Sequence, residues 1–165
     1  MKTLTRYVAI AAVAAVSVTA VVPVAAAATS SHRNIVQTAA AAGQFKTLLA
    51  LAKDAGLAGT LEGKGPFTVF APTDAAFAKV PKSVLNSLKH NRRELRAVLL
   101  YHVLKGKITA AKLVKLHSVK TLNGQSLTVH VKNGTVTVGG ATVIKANISA
   151  SNGVIHVINR VLIPR

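Results

Sequence analysis

Acid–base and metal chemistry both need ionisable side chains held against one another, so the scarce carboxylates come first. The 165-residue chain has four: Asp54, Glu62, Asp74 and Glu94. Asp74 follows an apolar, strand-like run and a proline in GPFTVFAPTDAAF (65–77). A strand-end carboxylate beside a second acid or a histidine would suit general acid–base work. No such partner stands near it, since Asp54 and Glu94 fall on solvated helix faces and Glu62 in a glycine-rich loop. Thr73 and Asp74 are explained instead as a helix start. The threonine hydroxyl caps an orphan amide, and the aspartate meets the positive end of the helix dipole.

The histidines are His32, His90, His102, His117, His130 and His156. No two have the i, i+4 spacing of helical metal ligands, and the chain has no cysteine, so no metal site is expected. His102 and His156 are read as satisfying buried hydrogen bonds. There is no nucleophile elbow, phosphate loop or dinucleotide fingerprint. The expectation is a chain with no catalytic residue, no metal and no cofactor. The competing reading is an envelope enzyme or small-ligand binder that uses His102 and Asp74.

The cations make the strongest pattern. The chain carries 21 Lys and Arg against 4 acids, a net charge of +17. Residues 79–120 hold eleven Lys or Arg and one acid, Glu94. Lys89, Arg92, Arg93, Arg96, Lys105, Lys107, Lys112 and Lys115 are the candidate basic face. Such a face attracts polyanions, so an anionic polysaccharide or cell-envelope polymer is the expected partner, with a protein partner as a further option. An ordinary solvated helix surface would use the same residue types. Base stacking needs exposed aromatics, and Phe45, Phe67, Phe70, Phe77 and Tyr101 all sit in core-like positions. Nucleic acid is therefore expected to bind only nonspecifically, by charge.

The elements that position these residues begin after a leader. MKTLTRYVAIAAVAAVSVTAVVPVAAAATSS has a basic start, an apolar run and small residues near Ala28, the layout of a cleaved secretory signal. It is assigned to 1–28, with a short tail at 29–33 and a single domain over 34–164. Export predicts a secreted protein: extracellular, surface-associated or periplasmic. No transmembrane segment is expected in the mature chain.

Within the domain, short helices come first, with Gly43 and Gly56 as C-terminal caps and Phe45, Leu48, Leu49 and Ala52 as a core-facing stripe. FTVFA reads as a strand covered on both faces. Pro81 opens one helix. Asn91 and Glu94 resemble a capping box opening RRELRAVLLYHVL, whose buried stripe is Leu95, Val98, Leu99 and His102. Gly106 is expected to close that helix and Thr109 to cap AAKLVKL. From residue 117 the period becomes two, with Leu127, Val129 and Val131 on one face and an Asn133-Gly134 hairpin turn. Gly139-Gly140 and Asn152-Gly153 punctuate further strands. Helices followed by a meander argue for the α+β class.

FTVFAPTDAAF, LLYHVL and NGVIHVINRVLIP resemble, in order and spacing, the three hallmark stretches of the fasciclin domain, over about residues 34–164. Small secreted bacterial single-domain members are the type it is most similar to. The resemblance implies N-terminal short helices plus two small β-sheets forming a wedge, and a non-enzymatic extracellular adhesion or interaction module. Animal relatives bind integrins and matrix through two regions, which fall here on Tyr101 and His102 and on Asn147 and Ile148. Where the family pattern has Asp-Ile, this chain has Asn147. Many relatives also carry Asp at the position of Asn159. Both departures remove negative charge. They place integrin-like recognition in doubt and favour a polyanion.

Overall fold

A computed structural model describes residues 33–164; the leader, and all of the tail but Arg33, lie outside the described residues. Three helices open the chain: α1 (Ile35–Ala42), α2 (Lys46–Asp54) and α3 (Ala58–Glu62). Asn34 and Gln37 form a complete capping box on α1, and Gly43 ends it at φ 72°. Gly56, also at φ 72°, follows α2. The buried stripe is rotated from the expected one. Phe45, Leu48, Leu51 and Ala52 point inward, while Leu49 is only partly buried at its edge.

Strand β1 (Phe67–Pro72) is buried from Thr68 onward. It runs into α4 (Asp74–Ala78), then α5 (Lys82–His90) and α6 (Arg92–Tyr101). Pro81 is the N-cap of α5 rather than its first residue. Asn91 caps α6 through its side chain, but its own amide bonds the Ser87 carbonyl, so the capping box is half made. Gly106 does not close α6. The helix stops at Tyr101, and β2 (Val103–Lys105) follows as a strand, because Val103 and Leu104 pair with Val69 and Thr68 of β1. Tertiary pairing overrides the local helical pattern here.

The remainder is α7 (Ala110–Leu113), β3 (Ser118–Lys120), β4 (Ser126–Lys132), β5 (Thr135–Val138), β6 (Ala141–Ala150) and β7 (Gly153–Ile158). Asn133 and Gly134 turn the β4–β5 hairpin at φ 51° and 77°, as its right-handed twist requires. The class is α+β, as expected. The strands form one seven-stranded sheet in the order β2-β1-β7-β6-β5-β4-β3 rather than two small sheets. It nearly closes on itself, since Leu104 in the edge strand β2 bridges Thr121, which directly follows the other edge strand β3. The β1–β7 pair is parallel and the others antiparallel.

Two apolar clusters fill the interior. One lies between the helices and β1, β2 and β7, and includes Phe45, Leu51, Leu95 and Ile155. The other lies inside the β3–β6 end, with Phe70, Leu113, Leu127 and Ile158. No helix among the described residues is long and apolar enough to cross a membrane.

Candidate functional site

Asp74 starts α4 and also caps a second helix. Thr73 accepts the Ala76 amide at 3.2 Å, as the helix-start argument requires. The Asp74 carboxylate reaches the first turn of α2 and accepts the amides of Thr47 at 2.8 Å and Lys46 at 3.4 Å. Phe45, the N-cap of α2, has no side chain able to do this. Partial burial works to raise the Asp74 pKa; the bonds from Thr47 and Lys46 outweigh it, and the carboxyl titrates below its ordinary value. Its oxygens are thus committed to backbone.

His102 caps α6 and is 1% exposed. Its Nδ1 lies 2.8 Å from the Val98 carbonyl, and its Nε2 accepts the Leu162 amide at 2.9 Å. A carbonyl only accepts and an amide only donates, so the ring is the neutral Nδ1–H tautomer. Burial pushes its pKa down to about 4, against the opposing pull of the Val98 carbonyl. The apolar cavity beside it, shared with Leu99, Val103 and Ile155, measures about 30 Å³, far below the several hundred Å³ of a small-molecule site. Tyr101 faces the other way. It is half-buried and lines an open groove of about 620 Å³ with Ser126, Thr128 and His130.

Asn147 is exposed at φ 59° in an irregular stretch of β6. Its Oδ1 accepts the Ala110 amide at 2.9 Å, so Asn147 rather than Thr109 caps α7. Its amide donates to His156 Nδ1 at 3.3 Å, and His156 Nε2 lies 2.7 Å from the Ile108 carbonyl. His156 is therefore the Nε2–H tautomer, and burial lowers its pKa despite the Ile108 bond. Thr68 completes the clasp, accepting the Ile108 amide and donating to the Gly106 carbonyl. Ile148 is half-buried against the helical cluster. Asn159 accepts the Thr142 amide at 3.0 Å. At both asparagines the side-chain oxygen is committed to a backbone amide.

All eight cations of the candidate basic face are exposed. Lys89, Arg92, Arg93 and Arg96 fall at the end of α5 and the start of α6, while Lys105, Lys107, Lys112 and Lys115 fall in β2 and in and around α7. Among the described residues no group of three His, Cys, Asp or Glu could hold a metal ion.

Thr68 and Asn152 escaped the sequence reading. Asn152 accepts the Ile35 amide and donates to the Leu61 and Gly63 carbonyls, tying α1 and α3 to β7. A polar residue inside the apolar run FTVFA was the available signal for Thr68; Asn152 was hidden by its resemblance to a simple turn.

The profile of the Fasciclin domain matches residues 43–164. The chain belongs to the fasciclin-domain family. Among relatives, Protein sll1483 of Synechocystis sp. is 50% identical over 140 residues, covering 84% of this chain and 77% of that protein. Immunogenic protein MPB70 of Mycobacterium bovis is 37% identical over 142 residues, covering 86% of this chain and 69% of that one. Among solved structures, the FAS1 domain pair of the insect cell adhesion molecule Fasciclin I superposes with a TM-score of 0.59 at 25% identity. That match covers 74% of this chain and 46% of the insect chain. The Tyr101–His102 and Asn147–Ile148 regions of this fasciclin domain lie at the end of α6 and on β6.

Proposed function

We propose that this fasciclin domain is an exported, non-enzymatic adhesion module that binds an anionic cell-envelope polymer or acidic polysaccharide. The observation that carries the reading is the placement of charge. All four acids precede residue 95, whereas residues 95–165 hold ten Lys or Arg and no acid. Arg92 and Arg93 begin α6, where the helix dipole opposes a positive charge. Both are exposed there, and a bound anion would relieve the unfavourable charge at the helix start. The insect relative named a cell adhesion molecule supports an interaction role. The commitment of Asp74, His102 and His156 to backbone partners supports a non-catalytic one.

The test is binding to an acidic polysaccharide, to isolated cell envelope and to duplex DNA, each over a salt series. An Arg92→Glu, Arg93→Glu, Arg96→Glu variant runs alongside. The reading expects one envelope polymer to be preferred at physiological salt, and the variant to lose that preference by at least about tenfold. Equal binding to all three polymers, released together as salt rises, would reduce the charge to generic attraction.

A further inference from the structure

The strand-rich end leaves an apolar sheet face without a cover. Strands β4 and β5 pair as far as Lys132 and Thr135. The β5–β6 pairing stops at Thr137 and Thr142, after which β6 leaves to pair with β7. The sheet splays there, and α7 forms the opposite wall of a crevice of about 410 Å³. Val136, Val143, Ile144, Leu113 and Val114 line it. Val131 lies directly across from Val136, so both point to the same side of the sheet. Leu127 and Val129, further along that face, are buried, but Val131 is 47% exposed, Val114 43% and Ile144 55%. The inner face thus runs out past the core into solvent.

The rim is cationic. Lys145 lines the crevice, and Lys112 and Lys115 are exposed on the α7 side. No acid occurs anywhere in 95–165. A second copy of the chain would bring like charge against like. Exposed aliphatic side chains with Lys145 beside them, Lys112 and Lys115 flanking Leu113 and Val114 in sequence, and no carboxylate in 95–165 suit a partner that offers negative charge at its surface and hydrocarbon just beneath.

We propose that this crevice docks onto anionic lipid membranes, with Val114 and Ile144 entering the headgroup boundary and Lys112, Lys115 and Lys145 engaging lipid phosphates. The site is distinct from the α5–α6 corner proposed above to hold a polymer, and either can fail without the other.

The chain has no tryptophan, so Ile144→Trp gives a single reporter and Val114→Trp a second one on the opposite wall. Exported protein, its N-terminus read by mass spectrometry, is mixed with three probes. These are phosphatidylcholine vesicles, vesicles with about one-third phosphatidylglycerol, and an acidic polysaccharide. The expected result is a blue shift, and quenching by lipids brominated on the acyl chains, with the phosphatidylglycerol vesicles alone. Vesicle partitioning should fall about tenfold or more in Val114→Gln, Ile144→Gln and in Lys112→Gln, Lys115→Gln, Lys145→Gln. It should persist in the Arg92→Glu, Arg93→Glu, Arg96→Glu variant. No binding, binding without a shift in either reporter, or an equal shift with the polysaccharide would overturn the proposal. So would a lipid-independent shift that grows with protein concentration, which would mean self-association.

Discussion

At the end of α6 the His102 ring donates from Nδ1 to Val98 and accepts at Nε2 from Leu162. On β7 the His156 ring does the reverse, donating from Nε2 to Ile108 and accepting at Nδ1 from Asn147. The first clamp joins a residue four positions back to one sixty positions on, and so fixes the C-terminal segment against a helix. The second joins the loop before α7 to the irregular part of β6. Each lies beneath one of the two regions that the family resemblance marks for partner contact. In the first region the histidine is itself half of the motif. In the second the clamp is nine residues away from the motif. The contrast shows that adjacency in a motif does not make two residues surface partners. Tyr101 lines the open groove, while His102 turns inward to the backbone of Val98 and Leu162.

Deleting either ring should release its clamp. His102→Ala empties a fully enclosed site and strands the Leu162 amide, so a loss of about 4 kcal/mol is expected in chemical denaturation. His156 is as enclosed as His102, so His156→Ala should cost only a little less, about 3 kcal/mol, because its Asn147 bond is longer. Equal losses would erase the distinction. Ring-nitrogen chemical shifts should report opposite tautomers.

Acid should weaken both clamps. Both rings are neutral in the fold, with folded pKa values below those of the unfolded chain, so unfolding takes up protons between the two values. The stabilisation is complete above the unfolded value of 6.5 and fades as pH falls towards about 4, a loss of about 3 kcal/mol at pH 4 from His102. A His102→Gln variant, weaker at pH 7, should lose much less across that window. An unchanged pH slope in that variant would remove His102 from the account.

Asp74 is a third clamp, of charge rather than imidazole. Asp74→Ala leaves two α2 amides without a partner and should cost about 2 kcal/mol in thermal or chemical unfolding. Its contribution is whole above the ordinary carboxylate range and is lost as pH falls through the lowered folded value. Asn147 tests the second region more finely. Asn147→Ala should cost about 1–2 kcal/mol by loss of the α7 cap and a left-handed backbone. Asn147→Gly, which tolerates φ 59°, should cost visibly less. The smallest effect has the opposite sign: Arg92→Gln with Arg93→Gln should stabilise by about 0.5 kcal/mol while weakening polymer binding.

Local signals in the sequence were dependable where the chain needs only its neighbours. The Asn133-Gly134 turn, the Asn91 side-chain cap and the doubly covered strand FTVFA appear as their residue types dictate. The stripe of α6 also placed His102 inside. What the sequence hid depends on distance along the chain. Nothing near Asp74 says that its oxygens reach a helix 27 residues back, or that Asn147 caps one 37 residues back. The early end of α6 follows from strand pairing with Val69 and Thr68, which no local period encodes. The candidate site was half legible. The cations are visible as a cluster, but that α6 ends at Tyr101 and leaves Lys105 on a strand paired with β1 appears only in the fold.

The lack of acid beyond Glu94 also gives the molecule a heading. Near a negatively charged surface, within the screening length of about 8 Å at physiological salt, the strand-rich end is pulled harder than the helical end. The domain then turns before it touches and arrives with α7 and the splayed strands leading. Much of the rotational search is over at contact, so low ionic strength should raise the rate of arrival more than it lengthens the stay.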